Sequence, residues 1–302
     1  MSDSTVLYDA PGPKARIRNL VIGVGGAVVI LGLLAYLIVG LAKAGQLTTA
    51  FWKPFLEGST WSNYLLPGLL STLEAAALSI VLALILGMLL GVGRLSTVAG
   101  VRIVCGIWVE FFRAIPVLVG MLFSYYFALY VLHLPHNQAF FGVIVGLVLY
   151  NSSVIAELIR SGVGSLPKGQ REAGLAIGLR EGQAMAAILL PQAITAMLPS
   201  LVSQLVVILK DTALGAIIGY PDLLQSGYTG SNLTGNLIPT VLVMAAMYII
   251  INYALTKVAS ALERRMKRRG RSAGKPADPL MGDPAEAARS AGTTLQAGQP
   301  TP

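Results

Sequence analysis

Seven ionisable side chains lie inside long apolar runs or at their ends: Glu74, Glu110, Arg113, Glu157, Arg160, Lys210 and Asp211. A charge facing lipid is costly, so such groups turn into a helix bundle, pair with one another or line a polar path. Glu110 and Arg113 are three residues apart, as are Glu157 and Arg160, which puts each pair on one helix face. Two readings of these pairs are open: structural pairing with snorkelling toward an interface, or ligand binding. Glu74 and the dipeptide Lys210-Asp211 lie deeper. Counted from Tyr64, Glu74 stands about 15 Å along its run, near the bilayer midplane. Adjacent helical residues project about 100° apart, so Lys210 and Asp211 cannot both face one partner; one meets a neighbouring helix and the other a pore. Ser203 is one face-repeat from Lys210 and Gln204 one from Asp211, which extends a polar stripe along the same run. Asn151, Ser152 and Ser153 add polar groups to the preceding run. A path for a polar solute and hydrogen bonds that hold helices together are both consistent with this pattern.

The elements that must position these residues are membrane helices. Of 302 residues, 55% are apolar and 12% charged, with mean hydropathy +0.70, whereas soluble domains are about a quarter charged. Six segments are long and apolar enough to span a bilayer: 19–42, 64–92, 103–132, 139–160, 195–219 and 237–262. The first has too long an apolar core for a secretory leader, and no small-residue cleavage site follows it. Pro116 falls inside the third and should kink it. With the N-terminus in the cytoplasm, nineteen Lys and Arg fall inside, two (Lys43 and Lys53) fall outside, and Lys210 lies within a span. That asymmetry fits the positive-inside rule and puts both termini in the cytoplasm. The basic run "ERRMKRRGR" (263–271) then reads as a topology anchor on anionic lipid, not as a nucleic-acid site. The residues after it lack aromatics and periodicity and read as a disordered tail. The single cysteine, Cys105, excludes a disulfide framework, and His133 with His136 is too few ligands for a metal.

On this topology the stretch "QREAGLAIGLREGQAMAAILLPQA" (170–193) is the longest cytoplasmic loop. Leu175, Ile177, Leu179, Met185 and Ile188 are apolar side chains facing water unless something covers them, and exposed apolar surface marks a partner site. The alternative is a re-entrant or interfacial helix packed on its own spans. Gly174, Gly178 and Gly182 recur every four residues and keep one face thin, and Gly178 is a natural break between two short helices.

The spacing Glu172-Ala173-Gly174, three residues, Gly178, nine residues, Ile188, one residue, Leu190-Pro191 resembles the EAA loop of ABC importer permeases. Gly174 stands where that pattern usually has Ala. "VEFFRAIPVLV" (109–119), "YNSSVIAELIRSGVGSLPKGQREAG" (150–174) and "ILKDTALGAIIGYPDLL" (208–224) resemble further blocks of the polar amino acid branch of these permeases, and "FRAIP" those of actinobacterial glutamate permeases. The resemblance covers about residues 64–262. It implies an all-α polytopic fold, about six transmembrane helices with a cytoplasmic coupling helix, in a plasma-membrane importer of a polar amino acid such as glutamate. It also implies three partners: an ABC ATPase subunit dimer, a second permease that is a paralogue or another copy, and an extracellular substrate-binding protein. Glu172, Ala173, Gly174, Gly178, Ile188 and Pro191 would form the ATPase-docking loop. Glu74, Asn151, Ser203, Gln204, Lys210 and Asp211 would line the substrate path, with Lys210 meeting a carboxylate and Glu74 or Asp211 the substrate ammonium.

The chain then divides into a cytoplasmic segment (1–18), a first span with its outer loop (19–63), the core permease domain (64–262) and a basic, then disordered, cytoplasmic tail (263–302). No G-x-x-x-x-G-K-[ST] loop occurs, so ATP hydrolysis is expected from a separate subunit and no cofactor from this chain. The rival from another class is an ion-coupled secondary transporter or a channel without an ATPase. It accounts for the spans and buried charges but not for the spacing from Glu172 to Pro191.

Overall fold

The computed structural model describes residues 12–272, and every regular element among them is helical. The N-terminal residues before Gly12 and most of the expected disordered tail lie outside the described residues. Long apolar runs with no lipid-accessible strand edges leave the α-helix as the way to satisfy backbone hydrogen bonds in a bilayer. Nine helices organise the described chain: α1 (Pro13–Lys43), α2 (Gly58–Arg94), α3 (Ala99–Ala114), α4 (Val117–Tyr130), α5 (Gln138–Gly164), α6 (Lys168–Ala176), α7 (Glu181–Ile218), α8 (Leu223–Thr234) and α9 (Leu237–Ser272).

Helices α1, α2, α5, α7 and α9 are each long and apolar enough to cross a membrane, and α3 with α4 make a sixth crossing only as a bent pair. The kink expected at Pro116 is a full break: α3 and α4 meet at 101°. Ile115 and Pro116 are both extended (ψ 126° and 133°), as expected for a residue preceding proline and for a proline at a helix start. The register of the neighbours shows that the pair crosses once. Gly87 and Gly91 of α2 pack on Ile155 and Ile159 of α5, so these helices run in the same direction, whereas Met121 and Tyr125 of α4 meet Gly146 and Gly142 in the opposite one. Fourteen residues make α4 about 21 Å long, short of a hydrocarbon core of about 30 Å. Helix α3 lying across its end, about 10 Å thick, fills the difference. The outward stripe Ile103, Val104, Ile107, Trp108 and Phe111 on α3 suits a helix resting in the membrane interface.

The core forms where glycines let helices approach. A Cβ on Gly146 would come within 2.7 Å of the Met121 backbone nitrogen, and one on Gly87 within 2.7 Å of the Ile155 side chain. Met121, Val143, Leu147, Ile155, Ile159 and Ile208 fill the centre among α2, α4, α5 and α7. A smaller cluster of Leu65, Leu223, Met244 and Met247 joins the start of α2 to α8 and α9. Helix α1, by contrast, buries none of its residues.

Candidate functional site

The expected loop is a compact hairpin of α6 and the start of α7. Pro167 precedes α6, where a missing N–H costs nothing. The helix ends in a Schellman turn: Gly178 takes φ +87°, its N–H donates to Leu175 O (3.0 Å) and the Leu179 N–H donates to Gly174 O (3.2 Å). Helix α7 begins with the Gln183 side chain accepting from the Arg180 N–H at 2.9 Å. The expected break at Gly178 between two short helices is thus only half of the arrangement, because the second limb continues as the long helix α7.

Three contacts lace the limbs together. The Arg171 guanidinium forms a two-point ion pair with Glu181, one contact being Nε to Oε2 at 3.0 Å. Gln192 Nε2 donates to Gln170 Oε1 at 3.1 Å. Gly174 is buried against Ala184 and Ile188; a Cβ there would lie 2.9 Å from Ile188 Cδ1. Of the six residues assigned to docking, Glu172, Ala173, Gly178 and Pro191 are exposed, while Gly174 and Ile188 pack on each other within the hairpin. Leu175, Leu179 and Met185 are half-covered, and Ile177 at the apex stands 76% exposed. The hairpin holds its own shape and offers an apolar tip with an adjacent carboxylate.

The polar stripe resolves into separate places. Gln204 Nε2 donates to Asn151 Oδ1 at 2.6 Å, tying the middle of α7 to the middle of α5, and the Asn151 amide donates onward to Leu147 O at 2.8 Å. Ser203 faces away and bonds Pro199 O. Lys210 is exposed in a hollow of about 380 Å³ with Ala213, Tyr248, Ile249 and Asn252. Asp211 is half-buried, and among the described residues neither side chain has a hydrogen bond or ion pair. Glu74 does not join them. It lines a different hollow, of about 390 Å³, with Ser71, Asn137, Gln138 and Tyr220. The register of α2 on α5 sets Glu74 level with Gly142, near the start of α5, so it sits away from the midplane. Counting along the run misplaces it because α2 has 37 residues, about 55 Å, and extends well beyond the bilayer core.

The two i, i+3 charge pairs are one network. Arg94 at the end of α2 bonds Glu157 at 2.7 Å and Glu110 at 3.0 Å, while Arg160 holds Glu157 at 2.5 Å. Arg94 thereby joins α2, α3 and α5, which supports the structural reading of both pairs.

The block 208–224 reaches past α7, but sequence reasoning gave no role to Tyr220 or Asp222 within it. Asp222 is fully buried, caps α8 by accepting from the Gln225 N–H (2.8 Å) and accepts from the Tyr248 hydroxyl (3.4 Å). Burial raises its carboxyl to about 6. Tyr220 donates to Ser71 O at 2.7 Å, and burial, with the charges of Glu74 and Asp222, pushes its hydroxyl up to about 12. The available signal was Asp222 three residues before Gln225, the spacing of a capping box.

Comparison with known proteins agrees with this arrangement. Residues 83–268 match the family described as binding-protein-dependent transport system inner membrane component. The chain is 46% identical over 228 residues to the glutamate transport system permease protein GluD of Corynebacterium glutamicum, covering 75% of this chain and 84% of that one. It is 34% identical over 205 residues to the probable glutamine ABC transporter permease protein GlnP of Bacillus subtilis, covering 67% of this chain and 93% of the relative. A crystal structure of an amino acid ABC transporter with histidines superposes with TM-score 0.62 at 27% identity, over 70% of this chain and 98% of that one.

Proposed function

The chain belongs to the binding-protein-dependent transport system inner membrane component family, as a permease subunit of an ABC importer, and on that premise we propose that it carries glutamate through the membrane. The observation that carries the substrate is the 46% identity to a glutamate permease. Lys210, which makes no hydrogen bond or close ion pair in its hollow, is the group to meet a substrate carboxylate, and Asp211 beside it the ammonium. Asn151 and Gln204 flank the path at mid-height, with Ser203 on the neighbouring face. Glu74 acts at the far end, where solute enters or leaves.

The α6–α7 hairpin is the socket for an ABC ATPase dimer. Its ends are laced internally, so a push on Ile177 and Glu172 moves α7 as a lever instead of melting the loop. The excess of Lys and Arg at that end of the bundle supports a cytoplasmic position for it. With the bent pair counted as one crossing, an even number of crossings is consistent with both ends of the chain on that side. A second permease, a paralogue or another copy, completes the path, and an extracellular binding protein delivers the ligand.

The test is uptake of labelled glutamate by proteoliposomes holding the chain with its ATPase and second permease, supplied outside with loaded binding protein. Uptake should require ATP on the hairpin side. Uptake without the ATPase, driven by a sodium or proton gradient, would overturn the reading.

A further inference from the structure

The elbow between α3 and α4 encloses a hollow of about 480 Å³ with an almost wholly apolar lining. It runs from Phe111 and Phe112, past Gly120, to Phe127 on α4 and Phe141 on α5. The stretch from Val117 to Phe127 makes it about 15 Å long, the shape of a trough parallel to the membrane normal. Arg113 stands in sequence between two lining residues, Phe112 and Ile115. Its guanidinium approaches Glu110 and Glu157 only at 3.6 Å, beyond hydrogen-bonding distance, and is 37% exposed. Arg94 and Arg160 already bond those two carboxylates at shorter range, so three guanidinium groups face two carboxylates and the positive excess falls on Arg113.

We propose that the elbow holds an anionic phospholipid, with one acyl chain along the α4 trough and the phosphate on Arg113. A chain drawn from a bilayer gains no hydrophobic energy by moving into an apolar groove. Selection therefore rests on the headgroup charge, and phosphate is a good partner for a guanidinium with free donors. A lipid seated there would wedge α3 against α4 and hold the right-angle break open.

Trp108 reports on the site, since its ring lies 4.7 Å from that of Phe112. The chain has three tryptophans, and Trp52→Phe with Trp61→Phe leaves Trp108 alone. The full chain is placed in phosphatidylcholine bilayers doped equally with brominated phosphatidylglycerol or brominated phosphatidylcholine. The brominated anionic lipid should quench Trp108 at a severalfold lower fraction. Gly120→Leu should remove that preference by filling the trough; a Cβ there has its nearest neighbour at 3.8 Å, so the side chain has room. Arg113→Gln should remove it by removing the charge, and this arm stands alone if Gly120→Leu fails to fold. Arg102→Gln, on the same helix but outside the hollow, should leave the preference intact. Equal quenching by the two lipids, a preference that survives both Gly120→Leu and Arg113→Gln, or loss of quenching when the second permease is added would overturn the proposal, the last by making a protein helix the occupant.

Discussion

The α6–α7 hairpin and the seam between α5 and α7 both place polar side chains among apolar ones, and they do so in opposite ways. In the hairpin the polar groups stay outside and lace the limbs, Arg171 to Glu181 and Gln170 to Gln192, while small residues meet inside at Gly174. In the seam the polar groups are inside, with Asn151 fully buried and bonded to Gln204 among buried apolar neighbours such as Leu147 and Ile208. The difference teaches what each region risks when it is changed. The tip of the hairpin bears no internal load, so substitutions there should cost function without cost to folding. The seam bears load, so substitutions there should appear first as lost stability.

The sharpest break of that comparison is Ile177→Asp. A charge at an apolar, exposed apex should lower ATP-driven uptake at least tenfold, about 1.4 kcal/mol or more of coupling, while the melting temperature of the purified permease stays put. A fall in melting temperature comparable to that of a seam variant would erase the contrast. Next comes Asn151→Ala, which strands the Gln204 amide and should cost about 1–3 kcal/mol of stability. Asn151→Leu combined with Gln204→Leu should cost less than the two single changes together, and thermal unfolding in detergent reads both.

Gly178→Val sits between the regions in effect. Its φ of +87° strains any residue with a side chain by about 1–2 kcal/mol, yet no atom lies close enough to clash. The strain should be local: reduced uptake and faster protease cutting in the hairpin, with the main unfolding transition little changed. A small stability effect is also expected at Lys210→Met, because the ammonium makes no hydrogen bond or close ion pair and interacts only with the neighbouring charge of Asp211. Uptake assays against glutamate and glutamine should show the preference shift toward the neutral amino acid. A large loss of stability would show instead that Lys210 balances a buried acid.

The sequence carried the hairpin more fully than the seam. Apolar runs marked the crossings, and the spacing from Glu172 to Pro191 marked the hairpin, because helix termination at glycine and close packing at small residues are local requirements. The pairing of Asn151 with Gln204 is 53 residues apart, and nothing local selects it over Ser203, which lies one position away and faces elsewhere. Pro116 announced a bend but not its right angle, beside which Arg94 of α2 ties Glu110 of α3 to Glu157 of α5 across long sequence separations. Glu74 was misplaced in depth because a helix longer than the bilayer gives no fixed starting point for counting. Helix α8 escaped notice because it is short and polar, although its Asp222 cap was in view.

The central claim is that the hairpin tip meets the ATPase. A photo-crosslinking residue placed at Ile177 tests this directly against one at Leu56, which is 88% exposed just before α2, at the opposite end of the bundle. In membranes containing the assembled importer, position 177 should yield a covalent adduct with the ATPase subunit whose amount changes on adding ATP, and position 56 should yield none. An importer that takes up substrate normally with either label but gives no ATPase adduct from position 177 would contradict the account.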